Sequence, residues 1–205
     1  MKRFIAPVFA LALLFTAFIF SSPRSQAQAG LVSSVLARME ANYNSLKTLR
    51  STISMAKYNS QTRESDQYDG FLYMIPLKGR AANVRLDWKR PAEEYILSKD
   101  GKYTYFRPKL RIAYTGKTAQ AAKKDSGALS FINMSGSQLK ANYNTQVVGN
   151  ENVWSPNGDI TTTKLYLTPK AKAGYKSAEV WVDGSGMPVQ IKITENNDDN
   201  TVIRL

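Results

Sequence analysis

Two periodicities divide the chain. From Leu31 to Leu49 apolar residues recur at three- and four-residue spacing. Val32, Val35, Leu36, Met39, Tyr43 and Leu46 alternate with Arg38, Glu40, Asn42 and Lys47, which predicts an amphipathic helix with one apolar stripe. After Leu49 the period falls to two. Strands are expected over Ser51–Tyr58, Gln67–Ile75, Ala82–Trp88, the two arms around Asp100-Gly101, and Leu110–Thr115. In Ala82–Trp88 the alternation is clean, with Val84, Leu86 and Trp88 on one face and Arg85 and Asp87 on the other.

The stretch YILSKDGKYTYFRP, residues 95 to 108, is a hairpin signal, because a primed two-residue turn needs positive φ and Asp-Gly tolerates it. With Lys99 opposite Lys102, the register sets Ile96 against Tyr105 and Ser98 against Tyr103. Tyr95 then meets Phe106, and Leu97 meets Thr104, on the other face. Both faces carry large apolar groups, whereas a hairpin on a one-sided sheet has one wet face. The expectation is that one set faces a concave interior and the other packs on loops or returning chain.

Residues 116–143 break the pattern. TAQAAKKDSGALSFINMSGSQLKANY is rich in helix formers, with Leu129 and Ile132 as apolar candidates. Ser135 and Gln138 have capping-box spacing, so a short helix is predicted to start there. Strands resume over Asn144–Val148, Thr161–Thr168, Ser177–Val182, Val189–Thr194 and Thr201–Leu205. Val189, Ile191 and Ile193 are read as inward, Gln190 and Lys192 as outward. Ten or so antiparallel strands curl rather than stay flat. The fold class expected is mainly β with an α lid: an incomplete, strongly curved antiparallel barrel with helices on its concave side.

The N-terminus changes the count. Lys2 and Arg3 precede an apolar run from Ile5 to Phe20, and Ala27-Gln28-Ala29 supplies a small-residue cleavage site. This reads as a secretory signal, residues 1–29, followed by one domain over residues 30–205. Removing it takes away Lys2, Arg3 and Arg24 and no acid, so the net charge falls from +12 to +9. A basic exported protein meets anionic headgroups or acidic partners more readily than nucleic acid.

The chain has no Cys and no His. Thiol catalysis, thiolate metal sites and the usual general base are excluded. Glu93 and Glu94 are adjacent on a strand and point to opposite faces, so they make no catalytic pair. No enzyme, cofactor or metal is expected. Asp183-Gly-Ser-Gly and Asn196-Asn-Asp-Asp-Asn read as hairpin turns rather than calcium loops. Lys102–Arg107 interleaves aromatic and basic residues as some single-strand binders do, but export argues against nucleic acid.

Several phrases taken in order, ANYNSLKTLRSTIS, DGFLYMI, RLDWKRP, ILSKDGK leading into YFRP, LYLTPKA and AEVWVDGSGMPVQIKITENNDDNT, resemble the outer-membrane lipoprotein carrier family, LolA and its relatives. The resemblance implies a periplasmic, monomeric carrier. Its hydrophobic half-barrel shields lipoprotein acyl chains, an inner-membrane ABC transporter complex loads it, and an outer-membrane acceptor lipoprotein unloads it. A sensing or protein-binding module on the same fold is the alternative. Family members carry Arg-Pro where this chain has Ile75-Pro76, so a lid latch must be built from other residues. The candidate cavity wall is Leu36, Met39, Val84, Leu86, Trp88, Ile96, Tyr105, Leu129, Ile132, Val189, Ile191 and Ile193. Met39, Met55, Met74 and Met134 are candidates for an adaptable lining.

Overall fold

The computed structural model describes residues 24–78, 82–118, 131–132 and 134–205. Helix α1 (Arg24–Ser45) precedes six strands: β1 (Leu49–Tyr58), β2 (Ser65–Pro76), β3 (Ala82–Arg90), β4 (Glu94–Lys99), β5 (Lys102–Arg107) and β6 (Ile112–Lys117). A 3₁₀ turn, Pro108–Leu110, links the last two. Helix α2 (Gly136–Asn142) leads into β7 (Tyr143–Val153), β8 (Ile160–Pro169), β9 (Tyr175–Asp183), β10 (Pro188–Glu195) and β11 (Asn200–Arg204).

All eleven strands form one antiparallel sheet in the order β6-β5-β4-β3-β2-β1-β11-β10-β9-β8-β7. Strand β11 pairs with both β1 and β10, which joins two meanders into one surface. Among the described residues β6 and β7 are the edge strands and do not pair with each other, so the barrel stays open. The sheet must curl. From β3 to β8 is six strand spacings, roughly 29 Å if flat, yet Leu86 and Trp88 of β3 share one core cluster with Leu165 and Leu167 of β8 and with Leu36 and Met39 of α1. A single helix about 10–12 Å across closes that span only if the sheet wraps it.

Local signals place most elements. Asp100 (φ 50°) and Gly101 (φ 74°) form the hairpin turn, and Lys99 pairs with Lys102, Ile96 with Tyr105 and Tyr95 with Phe106. Ser135 caps α2 in a full capping box with Gln138. The helix–strand boundary differs from the sequence expectation. α1 begins at Arg24 and runs through Ala29, and Leu49 already belongs to β1, opposite Met74. Leu46 and Leu49 fit helical spacing and both reach the core, but Leu46 follows the last helical turn and Leu49 is the first inward residue of a strand.

Gly186 fixes how closely the β9–β10 turn approaches α1. Its φ is +95°, and a Cβ there would run into the Arg38 backbone carbonyl. Strain and collision act together, so Gly186→Ala is expected to lower Tm by roughly 5–10 °C. Gly184→Ala, which meets nothing within 4 Å, is expected to leave it near wild type. Differential scanning calorimetry of the two variants checks the pair.

Candidate functional site: the closed interior under the helices

α1 turns Val32, Val35, Leu36 and Met39 toward the sheet, and each is buried. The sheet answers with the inward residues of its strands. By register, Leu72, Leu86 and Ile96 stand side by side across β2, β3 and β4. Ile203, Ile191, Val180 and Leu165 do the same across β11 to β8. Phe131 fills one end of this interior at 1 % exposure, with its ring 5.7 Å from Tyr143 and 6.5 Å from Tyr175. The hydroxyls of those two tyrosines share a hydrogen bond, which removes the penalty of two buried phenols.

Among the described residues a cavity of about 10 Å³ lies between α1 and the sheet, lined by Met39, Met74, Met134 and Met187 together with Asn42, Tyr43, Leu46, Ile132 and Pro188. Sites that hold a small molecule are about 300 Å³ or larger, so this cavity is too small for one. Its lining is rich in Met, an unbranched and adaptable side chain.

The helices are tied to each other and to the sheet by polar contacts; at α2, Lys170 donates to the Lys140 and Asn142 carbonyls. Glu40 accepts from the Gly136 backbone N–H at 3.2 Å, placing a carboxylate on the first turn of α2, where the peptide dipoles favour it. Lys140 donates to Ser33 Oγ at 3.2 Å. Both bonds join α1 to α2. Gln28 donates to the Val147 carbonyl at 3.4 Å and Asn42 to Ser185 Oγ at 3.2 Å. These last two tie α1 to β7 and to the β9–β10 turn, and both are exposed.

The sequence candidates sort as follows. Leu36, Met39, Leu86, Trp88, Ile132, Ile191 and Ile193 are buried in the one core under the helices, and Val84 and Ile96 pack against it half-buried. Tyr105 lies on the same face but at its rim. Its hydroxyl donates to Glu94 at 2.6 Å, and Glu94 also accepts from Arg107 at 2.9 Å. Leu129 lies outside the described residues.

Val189 is a correction. It packs with Val153 and Trp181 in a separate small cluster. A register shift between Pro188 and Gln190 opposite β9 inserts one extra residue, and the bulge turns Val189 to the outer face. Met55 packs against the core but does not line the cavity; Met187 does. The outer set of the hairpin is a second correction. Leu97 is 44 % and Phe106 40 % exposed, so no loop or returning chain covers them. Phe131, Tyr143 and Tyr175 carried no periodic signal, because they sit in or beside the irregular 116–143 stretch and the β8–β9 connection.

Two phenols at the interior and its rim are shifted. Burial, then the Glu94 hydrogen bond, pushes the Tyr105 phenol up to about 12. Burial and the Tyr143 hydroxyl push Tyr175 further in the same direction. A raised phenol favours the fold fully below its unfolded value near 10, and that share is lost as pH climbs through the folded value. Stability is therefore expected to be flat from pH 7 to 9 and to fall above pH 10. Replacing Tyr105 and Tyr175 with Phe is expected to remove part of the alkaline loss, measured by urea midpoints across pH.

An open antiparallel meander wrapped around helices on its concave side is the arrangement the sequence resemblance implies. The fold is an open eleven-stranded antiparallel sheet curled around its helices. No family model matches the chain, and no curated protein matches it. Similar solved structures include a LolA superfamily protein from Nitrosomonas europaea, at 14 % identity over 84 % of this chain and 90 % of that one with a TM-score of 0.39. A putative outer membrane lipoprotein-sorting protein domain from Vibrio parahaemolyticus is similar at 14 % identity over 83 % and 88 %, TM-score 0.45. The MucA/MucB complex of Pseudomonas aeruginosa is similar at 16 % identity, TM-score 0.48, where 84 % of this chain spans 54 % of the matched one. Among the described residues no helix is long and apolar enough to cross a membrane.

Proposed function

We propose that this protein is a periplasmic carrier that takes the acyl chains of lipoproteins between its sheet and the α1–α2 lid and shuttles them from inner to outer membrane. The observation that carries this reading is the interior itself. Its core is apolar, its described cavity of about 10 Å³ is lined with Met, and the helices above it are tied to the sheet side through exposed side-chain hydrogen bonds, Gln28 to Val147, Asn42 to Ser185 and Lys170 to the Lys140 carbonyl. Those bonds are exchanged for water when the lid lifts.

The energetics suit a carrier. Burying about ten methylenes of one acyl chain yields roughly 8 kcal/mol at ~0.8 kcal/mol per CH₂. Lifting the lid and ordering the chain subtract from that, leaving binding that is useful and reversible. No catalytic step is part of this reading. Loading by an inner-membrane ABC transporter and unloading to an outer-membrane acceptor belong to it through the resemblance in sequence.

Native mass spectrometry of the exported, processed protein tests the reading, before and after incubation with a triacylated lipopeptide. A one-to-one adduct that Ile191→Glu weakens in a still folded protein is the expected result. Absence of an adduct with any acylated ligand overturns it.

A further inference from the structure

The outer face of β2 to β6 carries a feature that the interior does not explain. Lys99 pairs directly with Lys102, and Lys102 with Lys117. Three like charges therefore stand in one row across β4, β5 and β6, on the face that Leu97 shares by alternation. Like charges directly opposite one another in a sheet are destabilising. Among the described residues none of the three has an acidic partner within ion-pair distance. The fold alone gains nothing from this row.

Beside the row the surface is apolar. Ile75 is 53 %, Leu97 44 % and Phe106 40 % exposed. Ile75 and Leu97 line a groove of about 530 Å³ together with Tyr73, and Arg85 and Lys99 stand at its rim. Arg85 also lies over the rings of Tyr73 and Tyr95, 5.8 and 6.0 Å from their centroids. The one acid at its side, Asp87, is occupied by Arg85 in a two-pronged pair at 2.8 Å. Further along the same face a second groove of about 460 Å³ sets Trp154, 68 % exposed, near Phe71, Arg90 and Arg204.

We propose that this outer face is a docking surface for an anionic lipid bilayer. Uncompensated lysines beside exposed aliphatic and aromatic side chains are the composition that rests in a charged membrane interface: ammonium groups among the headgroups, Ile75, Leu97 and Phe106 at the acyl boundary. A purely polar polyanion would satisfy the lysines and leave the apolar side chains in water. The surface lies on the opposite side of the sheet from the lid, so docking leaves the lid free to move. Docking of this kind does not depend on what the interior carries.

Vesicle flotation tests it, using the protein expressed with its own leader and purified from the exported fraction. The probes are vesicles of phosphatidylcholine with and without phosphatidylglycerol. Binding is expected only with phosphatidylglycerol and is expected to weaken with salt. Each basic side chain near such a surface changes partition about fivefold, so Lys99→Gln/Lys102→Gln/Lys117→Gln is expected to lose about a hundredfold. Ile75→Ser/Leu97→Ser should weaken binding as well. Both variants lie at exposed positions and should keep the lipopeptide adduct, which separates this surface from the interior. Equal binding to neutral vesicles, no binding to either, or full binding by the triple variant overturns the proposal. In the second case an acidic protein surface becomes the better partner for this face.

Discussion

Bridging residues 42 and 185 is expected to abolish acyl uptake. Asn42 sits near the C-terminal end of α1, and its Nδ2 donates to Ser185 Oγ in the β9–β10 turn at 3.2 Å. Ser185 is exposed and Asn42 half-buried, and the chain has no cysteine of its own. Asn42→Cys/Ser185→Cys therefore creates one reactive pair, and a short bismaleimide joins α1 to the β9–β10 turn without replacing a residue of the apolar core. If an acyl chain enters by lifting α1, the bridged protein cannot widen the space between α1 and the sheet, where the described cavity is about 10 Å³. Uptake of a fluorescent lipopeptide should then fall at least a hundredfold, while the unbridged double variant binds as wild type. A cleavable linker should restore uptake on cleavage. Undiminished uptake by the bridged protein would mean that entry does not involve α1, and the reading of the helices as a lid would fail with it.

Much of this arrangement is legible in the amino-acid sequence, and the reason is local. The hairpin register follows from Asp100-Gly101, since few dipeptides accept positive φ at both positions. The start of α2 follows from Ser135 and Gln138, whose side chains close on each other's backbone. Ile191 and Ile193 follow from alternation, because period two is unbroken from Gln190 to Thr194. What fails is what alternation cannot encode. Val189 lies two residues from Ile191 and should share its face, but one inserted residue opposite Trp181 reverses it. The ends of α1 are hidden because Leu46 and Leu49 satisfy both periods. The packing at one end of the interior depends on Phe131, Tyr143 and Tyr175, which meet only in three dimensions. The exposed outer face is hidden for a different reason. An apolar residue on a strand announces burial on average, and only the finished sheet shows that nothing covers Leu97 and Phe106. Sequence also cannot separate core from cavity wall, since both require apolar side chains.

That last ambiguity can be settled with one substitution that moves two quantities in opposite directions. Leu36 on α1 is 1 % exposed and packs against Gly136 at the start of α2. Leu36→Ala removes buried methyl groups and is expected to cost about 2–5 kcal/mol of stability, a fall in Tm of roughly 5–20 °C for a chain of this size. In an ordinary core that is the whole effect, and any binding would weaken with the fold. In a carrier the loss belongs to the closed state. Once α1 is lifted and an acyl chain lies beneath it, the Leu36 contacts to the sheet are already broken. The substitution then lowers the cost of opening, and acyl affinity should rise, by about tenfold for every 1.4 kcal/mol removed from the closed state alone. Val35→Ala, a smaller deletion on the same helix face, should show the same pairing in milder form. Trp181→Phe provides the contrast. Trp181 donates to Glu151 at 2.7 Å and belongs to the outer cluster with Val153 and Val189, so its loss should lower Tm and leave affinity unchanged. Thermal melts and lipopeptide titrations on these three variants give both axes. Tighter binding by a less stable Leu36→Ala protein marks α1 as a lid, because a purely structural helix has no closed state from which a ligand could profit.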